Sequence, residues 1–283
     1  MPGTSAALTR LETTRASVPE GHTLHRLARL HQRRYAGKPV SVTSPQGRFS
    51  ASLVDGRKLV RAEAHGKHLF HVYGPDAIVH VHLGLYGTFT ESPLPVLLPV
   101  GQVRMRMVGE THWTDLRGPT ACEVLNSDEV KAIRERLGPD PLRKDADPDR
   151  AYERVIRSKQ PLAVLLMDQK VLAGVGNVYR AEVLFRHHVN PLLVGNKVSR
   201  ELWDALWDDL VVLMKDGVKV GQINTVRPEH MPRAMGRAPR VDRHGGEVYV
   251  YRRAGEPCLV CGTEVQTTEL AARNLFWCPV CQP

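Results

Sequence analysis

Four cysteines near the end of this 283-residue chain fall in two pairs, Cys258-x2-Cys261 and Cys278-x2-Cys281, sixteen residues apart. Nothing else in the sequence restricts the local fold so tightly. Each Cys-x2-Cys places two thiolates on one tight turn. Two such turns joined by a hairpin complete a closed tetrahedral site. With no position left open, the metal that suits it is a structural zinc ion, one per chain. The alternative is a pair of disulfides, which needs an oxidising compartment. The first 18 residues lack the apolar core of a signal peptide. The longest apolar pieces, such as VLLPV and LVVLM, fall short of a membrane span. The chain therefore reads as soluble and cytoplasmic, which favours zinc. The fifth cysteine, Cys122, reads as a small buried hydrophobe.

Residues 1–18 are rich in Thr, Ala and Ser without a clear period, which predicts disorder or loose helix. From His22 to Tyr35, Leu24, Leu27 and Leu30 recur at helical spacing. Alternating runs follow, separated by Gly, Pro and Asp, and VRMRMV is a plain period-2 case. A leading helix and several antiparallel strands predict a β-sandwich domain over 19–135. The Pro- and Asp-rich stretch at 136–149 reads as a linker. Helical patterns then fill 150–245, and the cysteine hairpin occupies 246–283. The fold class is α+β and multidomain. The net charge of +9 suits a polyanion partner, although charge alone fits a merely basic soluble protein equally well.

Residues 165–191, LLMDQKVLAGVGNVYRAEVLFRHHVNP, read as helix, glycine turn, helix. Gly174 and Gly176 allow close backbone approach. Asn177 suits the cap of the next helix, and the free amides there suit a phosphate. An ordinary helical hairpin explains the local pattern as well. The segment, however, resembles the helix–two-turn–helix motif of the Fpg/Nei family of DNA glycosylases. PEGHTLHRLARL resembles that family's N-terminal start, HGKHLF its lysine-bearing strand, RLGPDPL its linker, and the cysteine hairpin its zinc finger. The resemblance runs in the family's order through residues 19–283.

That resemblance implies a bifunctional DNA glycosylase/AP lyase of base excision repair, acting on damaged DNA as a monomer. It implies a cytoplasmic enzyme, nucleoid-associated while on DNA. An amine nucleophile attacks the sugar C1′, displaces the base and leaves an iminium ion. The resemblance assigns that amine to Pro19. A terminal amine has a pKa of about 7.7–8.0 against about 10.4 for lysine, so more of it is neutral near pH 7. Glu20 is then the acid or base of ring opening, and Lys67 a phosphate contact. Asn177 and Arg273 are the implied DNA ligands. Gly84-Leu85-Tyr86 matches the wedge that fills the gap left by a flipped base. Without the resemblance, Glu20 is an acid at a helix N-terminus, Lys67 a solvated lysine, and Leu85 and Tyr86 core residues. A non-catalytic protein that binds damaged or abasic DNA on the same scaffold is the rival reading.

Two departures from the family pattern bear on specificity. The Leu-Tyr-Gly run resembles the Nei branch. Where Fpg-type members carry an Arg-Phe pair, this chain reads DLRGPTA, with Arg117 but no Phe. Both favour oxidised pyrimidines over 8-oxoguanine. Many members also carry a second N-terminal Glu, but here the run is Pro19-Glu20-Gly21-His22-Thr23. His22 and His25 are the nearby candidates to replace it, although helix histidines are more often packing or surface residues. Arg33, Arg34, Lys159, Arg180, Arg227 and Arg237 are further candidates for a DNA groove. Finally, while Val18 precedes it, the nitrogen of Pro19 is an amide with no lone pair for attack. Initiation at Val18 with removal of the initiator residue, processing after Val18, or an inactive extended enzyme are the three readings.

Overall fold

The computed structural model describes residues 12–13, 19–241 and 246–283. Two antiparallel sheets form the N-terminal half. The first joins β1 (Glu12–Thr13), β6 (Thr88–Pro93), β8 (His112–Arg117), β7 (Met105–Val108) and β2 (Ser41–Thr43), in that order. The second orders β3 (Arg61–His65), β4 (His68–Gly74), β5 (Ala77–His82) and β9 (Ala121–Leu125). Helix α1 (Gly21–Tyr35) leads into them. Most of the stretch at 1–18 lies outside the described residues. Its pair Glu12–Thr13, expected to be disordered or loosely helical, is instead a strand against β6.

The sandwich core is the reason for the alternation in the sequence. Met105 and Met107 point inward to meet Leu69, Val79 and Val81 of the other sheet and Leu24 and Leu27 of α1. Arg106, between them, takes the opposite face, where it donates to both oxygens of Asp115 at 2.6 and 2.8 Å. Strand β5 does not alternate, because both its faces are covered. Helix α2 (Ser127–Arg136) lays Val130 over Phe70, Val72 and Ile78 on the outer side. The helix begins with a capping box between Asn126 and Glu129, a signal legible in NSDE.

The C-terminal half contains α3 (Pro148–Ile156), α4 (Leu162–Leu165), α5 (Asn177–Arg186), α6 (Arg200–Val220) and the hairpin β10 (Gln266–Leu270)–β11 (Arg273–Trp277). One core serves helices and hairpin together, running from Leu184 and Trp203 to Val265, Leu275 and Cys278. Glu182 ties them. Its buried carboxylate accepts from the amides of Tyr249, Val250 and Tyr251 at 2.6–2.9 Å and from the Thr225 hydroxyl. Of the expected linker, residues 137–141 form a buried strap, while 142–149 are partly or fully exposed. Gly138 donates to the Gln169 carbonyl, and the Pro139 carbonyl accepts from Ala173. Asp140 accepts from Gly66 and Leu142 amides and pairs with His25 at 2.7 Å. Among the described residues, no helix is long and apolar enough to cross a membrane.

Several histidines are structural and neutral. His22 is buried edge-on to Tyr179, and burial lowers its pKa to about 3. His71 bonds His31 at 2.8 Å inside the sandwich, and burial lowers it to about 4. These groups take up protons in the unfolded chain near pH 6.5 but not in the fold. Their stabilisation is full above pH 6.5 and is lost as the pH falls below it. Between pH 6.5 and pH 5 each forfeits roughly 2 kcal/mol. The urea midpoint should therefore fall between pH 7.5 and pH 5, and His71→Leu should flatten that slope; an unchanged slope contradicts the assignment.

Candidate active site and DNA interface

Three segments distant in sequence meet at one point, and glycines allow it. Pro19-Glu20-Gly21 opens α1, Gly66-Lys67 turns β3 into β4, and Gly174-Val175-Gly176 precedes α5. The Gly21 amide donates to the Gly174 carbonyl at 2.8 Å, and a Cβ on Gly21 would lie 2.8 Å from the Gly174 Cα. A Cβ on Gly66 would press on Ala173 at 3.0 Å. A Cβ on Gly176 would overlap the Glu20 carboxyl.

Glu20 is wholly buried. Its Oε2 accepts from the Gly176 amide and its Oε1 from the Val178 amide, both at 2.8 Å, with Tyr179 at 3.5 Å. The unpaired amides at the start of α5 thus hold a carboxylate from the same chain, where the sequence suggested a phosphate. Burial raises the Glu20 pKa, opposed by the Lys67 charge and by these amides. Burial lowers the Lys67 pKa, opposed by Glu20 and reinforced by Arg273. The two groups are driven toward each other in acidity, which suits a pair that exchanges a proton.

Asn177 does not cap α5 with its side chain. It is the first helical residue, and its Nδ2 donates to the Asn274 carbonyl at 3.0 Å. Arg180 donates to the same carbonyl at 3.1 Å and also to Asn177. Far from a surface charge, Arg180 is buried, and burial lowers its pKa to about 10. These bonds fasten the hairpin beside α5. Arg273 follows the turn residues Ala271 and Ala272, both at positive φ, and its side chain is exposed. Pro19, Glu20, Lys67, Asn177 and Arg273 therefore belong to one neighbourhood.

Leu85 and Tyr86 do not pack in the core. They are 52% and 86% exposed at the tip of the β5–β6 loop. Arg117, by contrast, is engaged within the protein. It donates to Asp115 at 2.8 Å, to the Thr90 hydroxyl at 2.7 Å and to the Val100 carbonyl at 3.2 Å. Of the other cations, Arg34 pairs with Glu91 and Arg237 with Glu247, while Arg33, Lys159 and Arg227 are exposed. His22 is a core residue and His25 a partner of Asp140. Sequence reasoning missed Asp140 as an organiser of the site. Its only signal was an acid set between two prolines.

The Sγ atoms of Cys258, Cys261, Cys278 and Cys281 all lie within 4.8 Å of one another. Cys258–Cys281 is 3.9 Å and Cys261–Cys278 is 3.4 Å. Thiolates about 2.3 Å from a tetrahedral zinc are roughly 3.8 Å apart, so the set fits that ion and is too open for disulfides. Cys122 is buried in the sandwich.

This junction of an N-terminal sandwich, a helix–two-turn–helix segment and a cysteine hairpin is that of a DNA glycosylase fold. Residues 12–122 match the formamidopyrimidine-DNA glycosylase N-terminal domain, 137–228 its H2TH domain, and 255–283 the zinc finger found in FPG and IleRS. The chain belongs to the Fpg/Nei family of DNA glycosylase/AP lyases. It is 58% identical over 274 residues to Endonuclease 8 1 of Mycobacterium tuberculosis, covering 94% of this chain and 100% of that one, which places it on the Nei branch. The formamidopyrimidine-DNA glycosylase of a Synechococcus species is 29% identical over 211 residues, 72% of each chain. Among solved structures, Lactococcus lactis Fpg bound to AP-site DNA superposes with a TM-score of 0.72 at 22% identity, covering 93% and 99% of the two chains. The MutM (Fpg) protein of Thermus thermophilus gives 0.71 at 25% identity, covering 94% and 98%.

Gly176 offers a test of the junction. Gly176→Ala should cost about 2–3 kcal/mol in urea unfolding, because the new methyl displaces the Glu20 carboxyl. A variant of wild-type stability would contradict the close approach.

Proposed function

We propose that this enzyme removes oxidised pyrimidines from DNA through a Schiff base on Pro19 and then cleaves the strand by β,δ-elimination. The observation that carries the reading is the buried Pro19-Glu20 start, with the Glu20 carboxylate on the amides of α5 and Lys67 acting on it. The neutral secondary amine of a free Pro19 attacks C1′. The base leaves with the glycosidic electron pair and takes up a proton. The amine then loses its proton, O4′ leaves C1′, and an iminium ion remains. Glu20, whose burial favours the protonated carboxyl, supplies the proton to O4′. Loss of a C2′ proton expels the 3′ phosphate, and a second elimination expels the 5′ phosphate. Lys67, whose charge acts on Glu20, is the proposed phosphate contact and proton relay.

Asn177 and Arg273 are the proposed ligands of the phosphates flanking the lesion. The hairpin that carries Arg273 is fixed to α5 through the Asn274 carbonyl, which supports that pairing. Exposed Leu85 and Tyr86 suit insertion into a base stack. Arg117 would contribute to DNA binding only by leaving its internal partners. The pyrimidine preference rests on the Nei-branch similarity and on the absence of a Phe near Arg117. The four thiolates would hold a structural zinc, which takes no part in the reaction. The DNA would lie between the sandwich and the helical half, with the protein acting as a cytoplasmic monomer.

Borohydride trapping tests the chemistry. Protein beginning at Pro19 should form a covalent adduct with duplex DNA bearing 5-hydroxyuracil or an abasic site, and should process 8-oxoguanine at least about tenfold more slowly. Protein retaining an intact bond between Val18 and Pro19 should form none. No adduct from the protein with a free Pro19 amine would leave a DNA-binding role without catalysis. Metal analysis should give one zinc per chain, and Cys278→Ala should lose both the metal and DNA binding. Retention of binding without zinc would contradict the structural role.

A further inference from the structure

Four side chains outside the proposed chemistry form a line on the outer face of the second sheet. Glu123 of β9 lies directly opposite His80 of β5, and His68 of β4 directly opposite His82. His80 Nδ1 is 2.9 Å from the Glu123 carboxylate, and His80 Nε2 is 2.8 Å from His68 Nδ1. The His68 and His82 rings meet edge-on, with centroids 5.0 Å apart. His82 Nδ1 in turn lies 3.2 Å from the Gly84 amide, at the foot of the exposed Leu85-Tyr86 tip.

The donors fix the tautomers. A carboxylate only accepts, so the proton of a neutral His80 sits on Nδ1 and its Nε2 accepts. His68 must then donate from Nδ1, leaving its Nε2 as a lone pair. The Gly84 amide only donates, so His82 keeps its proton on Nε2. The His82 ring meets the His68 ring edge-on, so His82 touches the line by packing. The bonds from Glu123 through His80 to His68 are compatible in one arrangement, and burial lowers the pKa of all three imidazoles, that of His68 to about 3.

The loop depends on this end. Gly84 has φ of +66°, and a Cβ there would overlap the Thr120 hydroxyl. The Thr120 amide donates to the His82 carbonyl at 2.9 Å. Backbone and ring of His82 therefore anchor both the loop and the strand start behind it.

We propose that His82, whose Nδ1 accepts from the Gly84 amide and whose ring packs edge-on against the His68–His80–Glu123 line, is the positioning residue for the Gly84-Leu85-Tyr86 loop. The line sets the angle at which the two exposed side chains enter DNA. The inference rests on reading that loop as the wedge, so the experiment separates the two ideas. The readouts are kcat/KM on duplex DNA with a single oxidised pyrimidine and strand cleavage of a single-stranded abasic oligonucleotide, which has no opposite base to displace.

His82→Leu should lower the duplex value about tenfold through KM and kcat together, and leave single-strand cleavage within about twofold. His82→Asn, whose Oδ1 can accept from the Gly84 amide, should restore most of the loss. Glu123→Leu should give a smaller duplex defect, about threefold, and Glu123→Gln should recover it. Wild-type duplex activity in His82→Leu overturns the proposal. So does equal impairment of His82→Leu and His82→Asn, or equal loss on both substrates. The double variant Leu85→Ala/Tyr86→Ala tests the wedge itself. If it cuts duplex lesions normally the wedge reading falls, whereas a defect there with none in His82→Leu sinks the positioning role alone.

Discussion

The site depends on one buried carboxylate. Glu20 enters the interior from the first turn of α1 and satisfies amides at the start of α5, a helix from the other half of the chain. An ionised carboxyl without those donors would be costly to bury, and amides without the carboxyl would be orphaned. Each half therefore completes the other. The same contact bears on the proposed chemistry, because burial raises the pKa of this acid and lowers that of Lys67, whose charge acts on it.

A second carboxylate repeats the device. Glu182, in the second turn of α5, gathers the amides of Tyr249, Val250 and Tyr251. Helix α5 is thus held at its start by the N-terminal segment and along its length by the segment leading to the hairpin. Arg180 lies between, with its guanidinium on the Asn274 carbonyl. The proposed phosphate ligands Asn177 and Arg273 sit on this helix and beside it.

Much of the fold was legible because its signals are local. The Cys-x2-Cys pairs, the leucines of α1 and the alternation around Met105 and Met107 each follow from a short-range period. The ordered family motifs added Pro19, Glu20, Lys67, Asn177 and Arg273. What remained hidden is what partners those residues have. The sequence marks Glu20 as an acid at a helix N-terminus, but not that the helix it serves begins at residue 177. The glycines before α5 signalled close approach, yet the approaching group is the protein's own carboxylate. The 136–149 stretch has the composition of a linker, and only the Asp140 contacts with His25 and Gly66 show it to be a strap. Arg117 and Arg180 look alike as charges, and only their surroundings separate an internal network from a buried brace.

The reach of the Glu20 contact has a bearing on biosynthesis. The carboxylate is made early, but the first amide it binds lies 156 residues further along the chain. Arg273, on the hairpin, follows later still. Contacts of such sequence separation form late in folding. A nascent chain that has not yet reached α5 therefore lacks the donors that hold Glu20.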